Sequence, residues 1–89
     1  MKIGSIVKLS RPHTIPLYGG DNVYCLIHTD ILFNPNDLGT VLSTKKLVAG
    51  KYSQSYVKIL SSNGIGWCFQ NQLELVLVQS PEQCDKLVP

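Results

Sequence analysis

A tight turn followed by an alternating pattern is the feature that most constrains how this chain folds. Asn63 and Gly64 form a dipeptide that favours the positive φ angles of a β-hairpin turn. After it, Ile65, Trp67 and Phe69 share one face of a strand, because they recur at its two-residue period. A phosphate-binding loop would need its glycines to open a helix, so the pattern favours a hairpin. We therefore predict that Trp67 is a packing residue, in the core or at its rim.

Four other segments have the composition of short strands and are separated by turn residues. They are residues 5–9, 38–43, 56–60 and 73–78. Together with the strand after Asn63, they predict one all-β domain of five strands. Residues 45–53 are predicted to be a mobile connection with its turn at residues 49–51. Residues 70–72 are predicted to form a short corner with a 3₁₀ turn.

The last residues carry a signal for the start of a helix. Ser80 is a favoured N-cap, Pro81 suits the first helical position, and Gln83 completes a capping box. A helix of about two turns is therefore predicted over residues 81–87.

The long segment from residue 10 to residue 37 does not have the composition of a solvated loop. It contains three of the five prolines and a glycine pair, which are turn residues. However, residues 23–27 (VYCLI) and 31–33 (ILF) add eight apolar residues. We expect either an extra hairpin, which folds over the other strands and enlarges a thin core, or an exposed patch that meets a partner.

Four motifs carry a resemblance to a known fold. They are GSIVKLSRP at residues 4–12, LGTVLS at 38–43, YVKIL at 56–60 and NGIGWCFQNQLELV at 63–76. With these motifs the chain resembles the SH3-like barrel, and in particular small SH3-like proteins encoded by phages, including cyanophages. It is similar, more distantly, to SH3-like accessory subunits of photosynthetic electron-transfer complexes.

The resemblance implies a five-stranded SH3-like barrel over residues 1–79, with residues 10–37 as an elaborated first loop and residues 80–89 as a helix or tail. It does not imply the ligand of signalling SH3 domains. Those domains bind polyproline helices through an Ala-Leu-Tyr-Asp-Tyr motif, paired tryptophans and a Ser-Asn-Tyr run. This chain has a single tryptophan and neither motif. The barrel hosts many unrelated functions, so function must be argued from particular residues.

The net charge of +2 is small, but the charge is unevenly distributed. Residues 38–73 contain no acidic residue and four lysines, which are Lys45, Lys46, Lys51 and Lys58. With Tyr52 and Tyr56 nearby, they supply cations for phosphates and aromatic faces for bases, which is the combination that nucleic-acid binding needs. The alternative explanation is that the lysines keep loops soluble and guard strand edges against aggregation.

The three cysteines predict neither a disulfide framework nor a metal site. Cys25 and Cys68 lie in apolar segments, and together with Cys84 we expect them to be small buried side chains in a reducing compartment. Cys25 and His28 form one ligand pair, whereas structural zinc uses two close pairs. No spacing supplies a nucleophile with a positioned base. We therefore predict no metal, no cofactor and no enzymatic activity.

The first residues enter a strand pattern directly, without the basic and then apolar order of a signal peptide. No apolar run approaches the roughly 18 residues of a membrane-spanning helix. We expect a soluble protein of the cytoplasm, or of the host cytoplasm if the chain is phage-encoded.

The primary functional hypothesis is a non-enzymatic protein–protein interaction module. It would dock on a larger host or viral complex through residues 17–33 and the barrel rim. The predicted partner-binding residues are Tyr18, Tyr24, Leu26, Ile31 and Phe33. The alternative is nucleic-acid binding through the basic hairpin at residues 45–58, and a small enzyme or metal protein is the third hypothesis. Assembly into a homo-oligomer stays open.

Overall fold

The fold is one curled antiparallel sheet, which a computed structural model describes over residues 1–77. Its strands are β1 (Ile6–Leu9), β2 (Ile15–Gly19), β3 (Ile27–Phe33), β4 (Gly39–Ala49), β5 (Tyr52–Ser61), β6 (Gly64–Phe69) and β7 (Leu73–Leu77). They lie in the order β3-β2-β6-β5-β4-β1-β7, and each neighbouring pair is antiparallel. The sheet curls into half of a barrel, so the all-β prediction is confirmed.

The inner face of the sheet carries the main hydrophobic core. Its buried members are Val7, Leu9, Leu17, Phe33, Val41, Val57, Ile59, Cys68 and Leu73. They come from all seven strands, and the partly buried Met1, Ile15 and Ile31 pack against them. The core therefore ties the first loop segment, through Leu17 and Phe33, to the central strands.

The described residues contain seven strands, not the predicted five. The two additional strands are β2 and β3, so the segment from residue 10 to 37 forms an extra hairpin. Residues 23–26 lie in the connection between these two strands, and His28 to Asp30 lie inside β3. Thr29 holds the hairpin together by donating its hydroxyl to the Leu17 carbonyl oxygen at 2.5 Å.

The expectation of a mobile connection over residues 45–53 is wrong. β4 continues to Ala49 and β5 begins at Tyr52, with these two residues directly paired. Gly50, at φ +60°, supplies the left-handed conformation that the two-residue turn requires. The two strands are paired continuously up to this turn. The sequence did not indicate a strand here because lysine is depleted in strands.

The β5–β6 hairpin is present, and its tight turn spans residues 61–64 as predicted. Ser61 pairs with Gly64, so Ser62 and Asn63 are the turn residues. Gly64 alone has a positive φ, at 143°. Ser61 stabilises the turn, since its hydroxyl accepts a hydrogen bond from the Asn63 amide at 3.3 Å and donates to the Gly64 carbonyl oxygen at 3.1 Å.

The corner before β7 is confirmed as a 3₁₀ turn over Gln70–Gln72. The Phe69 amide donates to the Gln72 side-chain oxygen at 3.1 Å, which fixes the direction of the chain as β6 ends. The helix predicted over residues 81–87 lies outside the described residues.

Gly66 allows β2 to cross close to β6. A Cβ atom built on Gly66 would lie 2.5 Å from the Leu17 Cβ and 3.1 Å from the Tyr18 carbonyl oxygen. Both contacts involve atoms close to the backbone of β2, so the clash cannot be relieved by rotating a side chain. Only glycine permits this approach.

We expect Gly66→Ala to destabilise the protein by about 1–3 kcal/mol, because β2 must move away from the core. Chemical denaturation followed by circular dichroism measures the loss. Gly50→Asn is the matched control, since nothing lies within 4 Å of its built Cβ and asparagine tolerates a positive φ. A Gly66→Ala variant as stable as the control would contradict the close approach.

Candidate nucleic-acid interface

The outer face of the sheet, opposite the main core, carries a second cluster of apolar side chains. Tyr56 pairs with Phe69 and Lys58 pairs with Trp67 across β5 and β6, and directly opposed residues share a face. Val57, between them in sequence, belongs to the inner core. The predicted common face of Ile65, Trp67 and Phe69 is therefore the outer one.

This outer cluster is a small aromatic core. Val23, Tyr56 and Trp67 are buried in it, and Tyr18, Leu26, Leu47 and Phe69 pack against them. The rings of Tyr56 and Phe69 are 5.2 Å apart between centroids, a separation typical of aromatic pairs. Trp67 is only 2% exposed. The prediction that Trp67 is a packing residue is confirmed.

Residues 20–26, here named the strap, cover the aromatic core. The Trp67 indole nitrogen donates a hydrogen bond to the Gly20 carbonyl oxygen at 2.7 Å, which fastens the start of the strap. Within the strap, the Asn22 carbonyl and side-chain oxygens accept from the amides of Cys25 and Tyr24, each at 2.9 Å. The strap thus removes the aromatic faces from solvent.

The predicted partner-binding residues do not form one exposed surface. The expectation that Phe33 contacts a partner is wrong, because its side chain is fully buried in the inner core. Ile31 packs over Gly64 at the edge of that core, and Leu26 packs against the aromatic core. Tyr18 is half-buried, with its ring 5.4 Å from that of His28. Tyr24 alone of the five is largely exposed, at 65%.

Two members of the aromatic core, Val23 and Leu47, were not singled out from the sequence. Val23 lies in a segment whose apolar residues were expected to face a partner, whereas it packs on Trp67. Leu47 was assigned to a loop. No local signal marks Leu47 as a strand residue, because residues 45–49 read KKLVA without an alternation of polar and apolar side chains.

The far part of the β4–β5 hairpin projects from the sheet. β1 pairs with β4 only at Gly39 and Thr40, and β6 pairs with β5 only from Tyr56 onward. Residues 44–55, here named the lysine ribbon, therefore form strand pairs only within the β4–β5 ladder in the described part of the chain. The overall extents of 47 × 31 × 22 Å agree with such an elongated shape.

The lysine ribbon concentrates positive charge at one end of the molecule. Lys45, Lys46 and Lys51 are exposed, and no acidic residue lies between residues 38 and 73. Over residues 1–77, the one ion pair joins Lys8 and Glu74 at 3.3 Å. The ribbon lysines are thus without an ionic partner in this part of the chain.

Lys58, at the base of the ribbon, is placed differently from the other three. It is half-buried, and its Nζ lies 5.8 Å from the Trp67 ring centroid. That position allows a cation–π contact with the outer edge of the aromatic core. Lys58 therefore has a role in packing. Of the four lysines predicted to contact nucleic acid, the three in the ribbon are the exposed ones.

The described part of the chain has two open pockets, one of which lies at the lysine ribbon. A pocket of about 290 Å³ at the base of the ribbon is lined by Met1, Thr44, Lys45, Lys46, Ser55 and Gln70. A second pocket of about 360 Å³ is lined by Leu9, Ser10, Arg11, His13, Ile15, Asn71 and Gln72. The first one places hydroxyl and amide groups beside two lysines, which is a lining suited to a phosphate oxygen.

The cysteines divide into an exposed one and a buried one among the described residues. Cys25 is exposed in the strap, so the expectation of three buried cysteines is wrong for it. Cys68 is buried as predicted, and burial raises the pKa of its thiol from 9.0 to about 12. Cys84 lies outside the described residues. Over residues 1–77, no group of three His, Cys, Asp or Glu side chains is placed to hold a metal ion.

Comparisons with protein-family models, with curated proteins and with solved structures found no match. In the part of the chain that the structure describes, no helix has the length and apolar character needed to cross a membrane.

We expect the Cys68 thiol to make stability fall at alkaline pH. The unfolded thiol ionises above its ordinary pKa of 9.0, whereas the buried thiol stays protonated up to about 12. Stability is therefore fully present below pH 9 and is lost as pH rises toward 12, by at most about 1.4 kcal/mol per pH unit. Urea unfolding of the wild type and Cys68→Ala across this range measures it.

The Cys68→Ala variant is the control, because all other titrating groups are common to both proteins. The difference in unfolding free energy between the two should shift with pH in favour of the variant. Parallel pH profiles would contradict the buried, protonated thiol.

Proposed function

We propose that this protein is a non-enzymatic binding module that holds nucleic acid through the lysine ribbon. It would be built on an SH3-like barrel and act in the cytoplasm, in the host's if the chain is phage-encoded. One observation carries the proposal: a two-stranded ribbon projects from the sheet with three exposed lysines and no acidic residue. A projecting, purely basic element is the part of a small domain that a polyanion reaches first.

The physical basis is the release of counterions from phosphates. Each lysine that neutralises a phosphate frees condensed cations, which contributes to affinity without requiring a particular base sequence. The three ribbon lysines have no carboxylate partner among residues 1–77, so no internal ion pair must break before they bind. The pocket beside Lys45 and Lys46 adds Thr44 and Ser55 hydroxyls as neutral donors.

The original hypothesis of a protein partner at residues 17–33 has less support, because much of that surface is packed within the molecule. Phe33 and Val23 are buried, and Leu26 and Ile31 pack on the two cores. Of the eight apolar residues in VYCLI and ILF, these four are packed within the molecule, and the other four are exposed: Tyr24, Cys25, Ile27 and Leu32.

Reversing the three ribbon charges tests the proposal. We expect Lys45→Glu/Lys46→Glu/Lys51→Glu to abolish binding to labelled nucleic acid, offered in single-stranded and double-stranded form and measured by fluorescence anisotropy. For the wild type, three phosphate contacts predict a slope of about −2 to −3 for log affinity against log salt. The charge reversal leaves the fold intact because all three side chains are exposed.

The control changes the net charge equally at another place. Lys2→Glu/Lys8→Glu/Arg11→Glu also replaces three exposed cations, and within residues 1–77 the one ion pair that it removes is the exposed Lys8–Glu74 contact. It should keep most of the affinity. Equal loss in both triple variants, or no binding by the wild type at low salt, would contradict a site on the ribbon.

Contact with a protein is the second candidate, and a different surface favours it. A row of four residues crosses the outer face of the sheet, one from each of four neighbouring strands. The row consists of Ile65 in β6, Leu60 in β5, Thr40 in β4 and Ile6 in β1, each paired with the next. Leu60 and Ile65 are each 45% exposed. The row has no charged side chain, so a second copy of the chain can meet it without like-charge repulsion. The proposed occupant is therefore a second copy.

We expect Leu60→Ser/Ile65→Ser to lower the association of the protein with itself, because it removes apolar area from the row. Sedimentation velocity over a range of concentrations measures association. Both residues are half-exposed, so the change in unfolding free energy should be about 1 kcal/mol or less. A wild type that stays monomeric at all concentrations would rule this contact out.

A further inference from the structure

We propose that the nucleic acid bound by the lysine ribbon is double-stranded and that the ribbon enters its major groove. This inference rests on the proposed function and concerns the shape of the ligand. Three properties of the ribbon carry it: its reach, the placement of its charges on both faces, and the burial of the aromatic side chains near its base.

The first property is reach. β4 and β5 remain paired from Lys45 opposite Tyr56 to Ala49 opposite Tyr52. At about 3.3 Å per residue, the four steps from Lys45 to Ala49 span about 13 Å. The major groove of B-DNA is about 8.5 Å deep and about 12 Å wide, and it admits a two-stranded ribbon. The ribbon is thus long enough for its turn to reach the groove floor while its base stays at the phosphates.

The second property is that the charges lie on both faces of the ribbon. Lys45 stands opposite Tyr56 and Lys46 stands opposite Ser55. Consecutive residues of a strand point to opposite faces, so these two lysines point in opposite directions. A ribbon that enters a groove end-on has one phosphate backbone on each side. Two lysines on opposite faces match two backbones, whereas a single strand offers only one.

The third property is that the two aromatic rings at the base of the ribbon are not open to stacking. Proteins that hold single strands stack successive bases on exposed aromatic rings. Here Trp67 and Tyr56 are 2% and 7% exposed, because the strap covers them. Of the ribbon's own side chains, only Tyr52 is an exposed aromatic, at 52%. The ribbon otherwise presents Ser53, Gln54 and Ser55, which form hydrogen bonds with base edges or phosphates rather than stack.

The experiment compares one duplex with its own separated strands. The labelled duplex of mixed sequence, each strand alone and labelled polyglutamate are titrated with the full chain by fluorescence anisotropy at low salt. We expect the duplex to bind roughly tenfold more tightly than either strand, a factor equal to about 1.4 kcal/mol. Polyglutamate, an acidic peptide without grooves, should bind more weakly than the duplex.

Two single variants test whether both faces contribute. Lys45→Gln and Lys46→Gln each remove one exposed charge from one face, and each should weaken duplex binding several-fold and by similar factors. Thermal melting checks that both remain folded. A loss confined to one variant would overturn the two-sided contact.

The outcomes separate the inference from the proposed function. Equal or tighter binding of the single strands overturns the inference and leaves a nucleic-acid module in place. Equal binding of polyglutamate and the duplex also overturns it, since the ribbon would then hold any polyanion. No binding to any of the nucleic acids overturns the proposed function itself.

Discussion

The structure depends on the centre of β6, residues 66–68, being buried on both faces of the sheet. On the inner side, Gly66 lets β2 approach, and Cys68 packs into the main core. On the outer side, Trp67 packs under the strap and donates its indole hydrogen bond to Gly20. A strand with two buried faces fixes the extra hairpin against the sheet, because β2 provides contacts to the core and the strap covers the aromatic cluster.

This arrangement decides which surface is free to bind. The apolar residues of the first loop are divided between two environments. Leu17, Val23 and Phe33 are buried and enlarge the core of a small domain, whereas Tyr24, Ile27 and Leu32 are exposed. The tip of the β4–β5 hairpin takes no part in this packing, because neither β1 nor β6 reaches it. The projecting ribbon carries three lysines without an ionic partner among residues 1–77, and an element with few buried contacts is suited to adapt to a ligand.

The class of fold and several elements were predictable from local patterns. The alternation after Asn63 identified β6 and the packing role of Trp67, and the capping glutamine at Gln72 was compatible with a 3₁₀ corner. The extent of the lysine ribbon was not predictable, because Lys45 and Lys46 have low strand propensity and only pairing with β5 keeps them extended. Phe33 was misassigned for a related reason: an apolar residue in a loop looks the same in sequence whether it faces a partner or the core.

The sequence by itself determined an all-β domain with hairpin turns at its glycines and a basic middle third, because these follow from residue period, backbone freedom and charge. The tertiary structure alone decided which face of β6 meets the core, where the strap lies, and that the lysines stand on a projecting ribbon. Such facts depend on contacts between residues far apart in the chain. Trp67 and Gly20, for example, are 47 residues apart and are joined by one hydrogen bond.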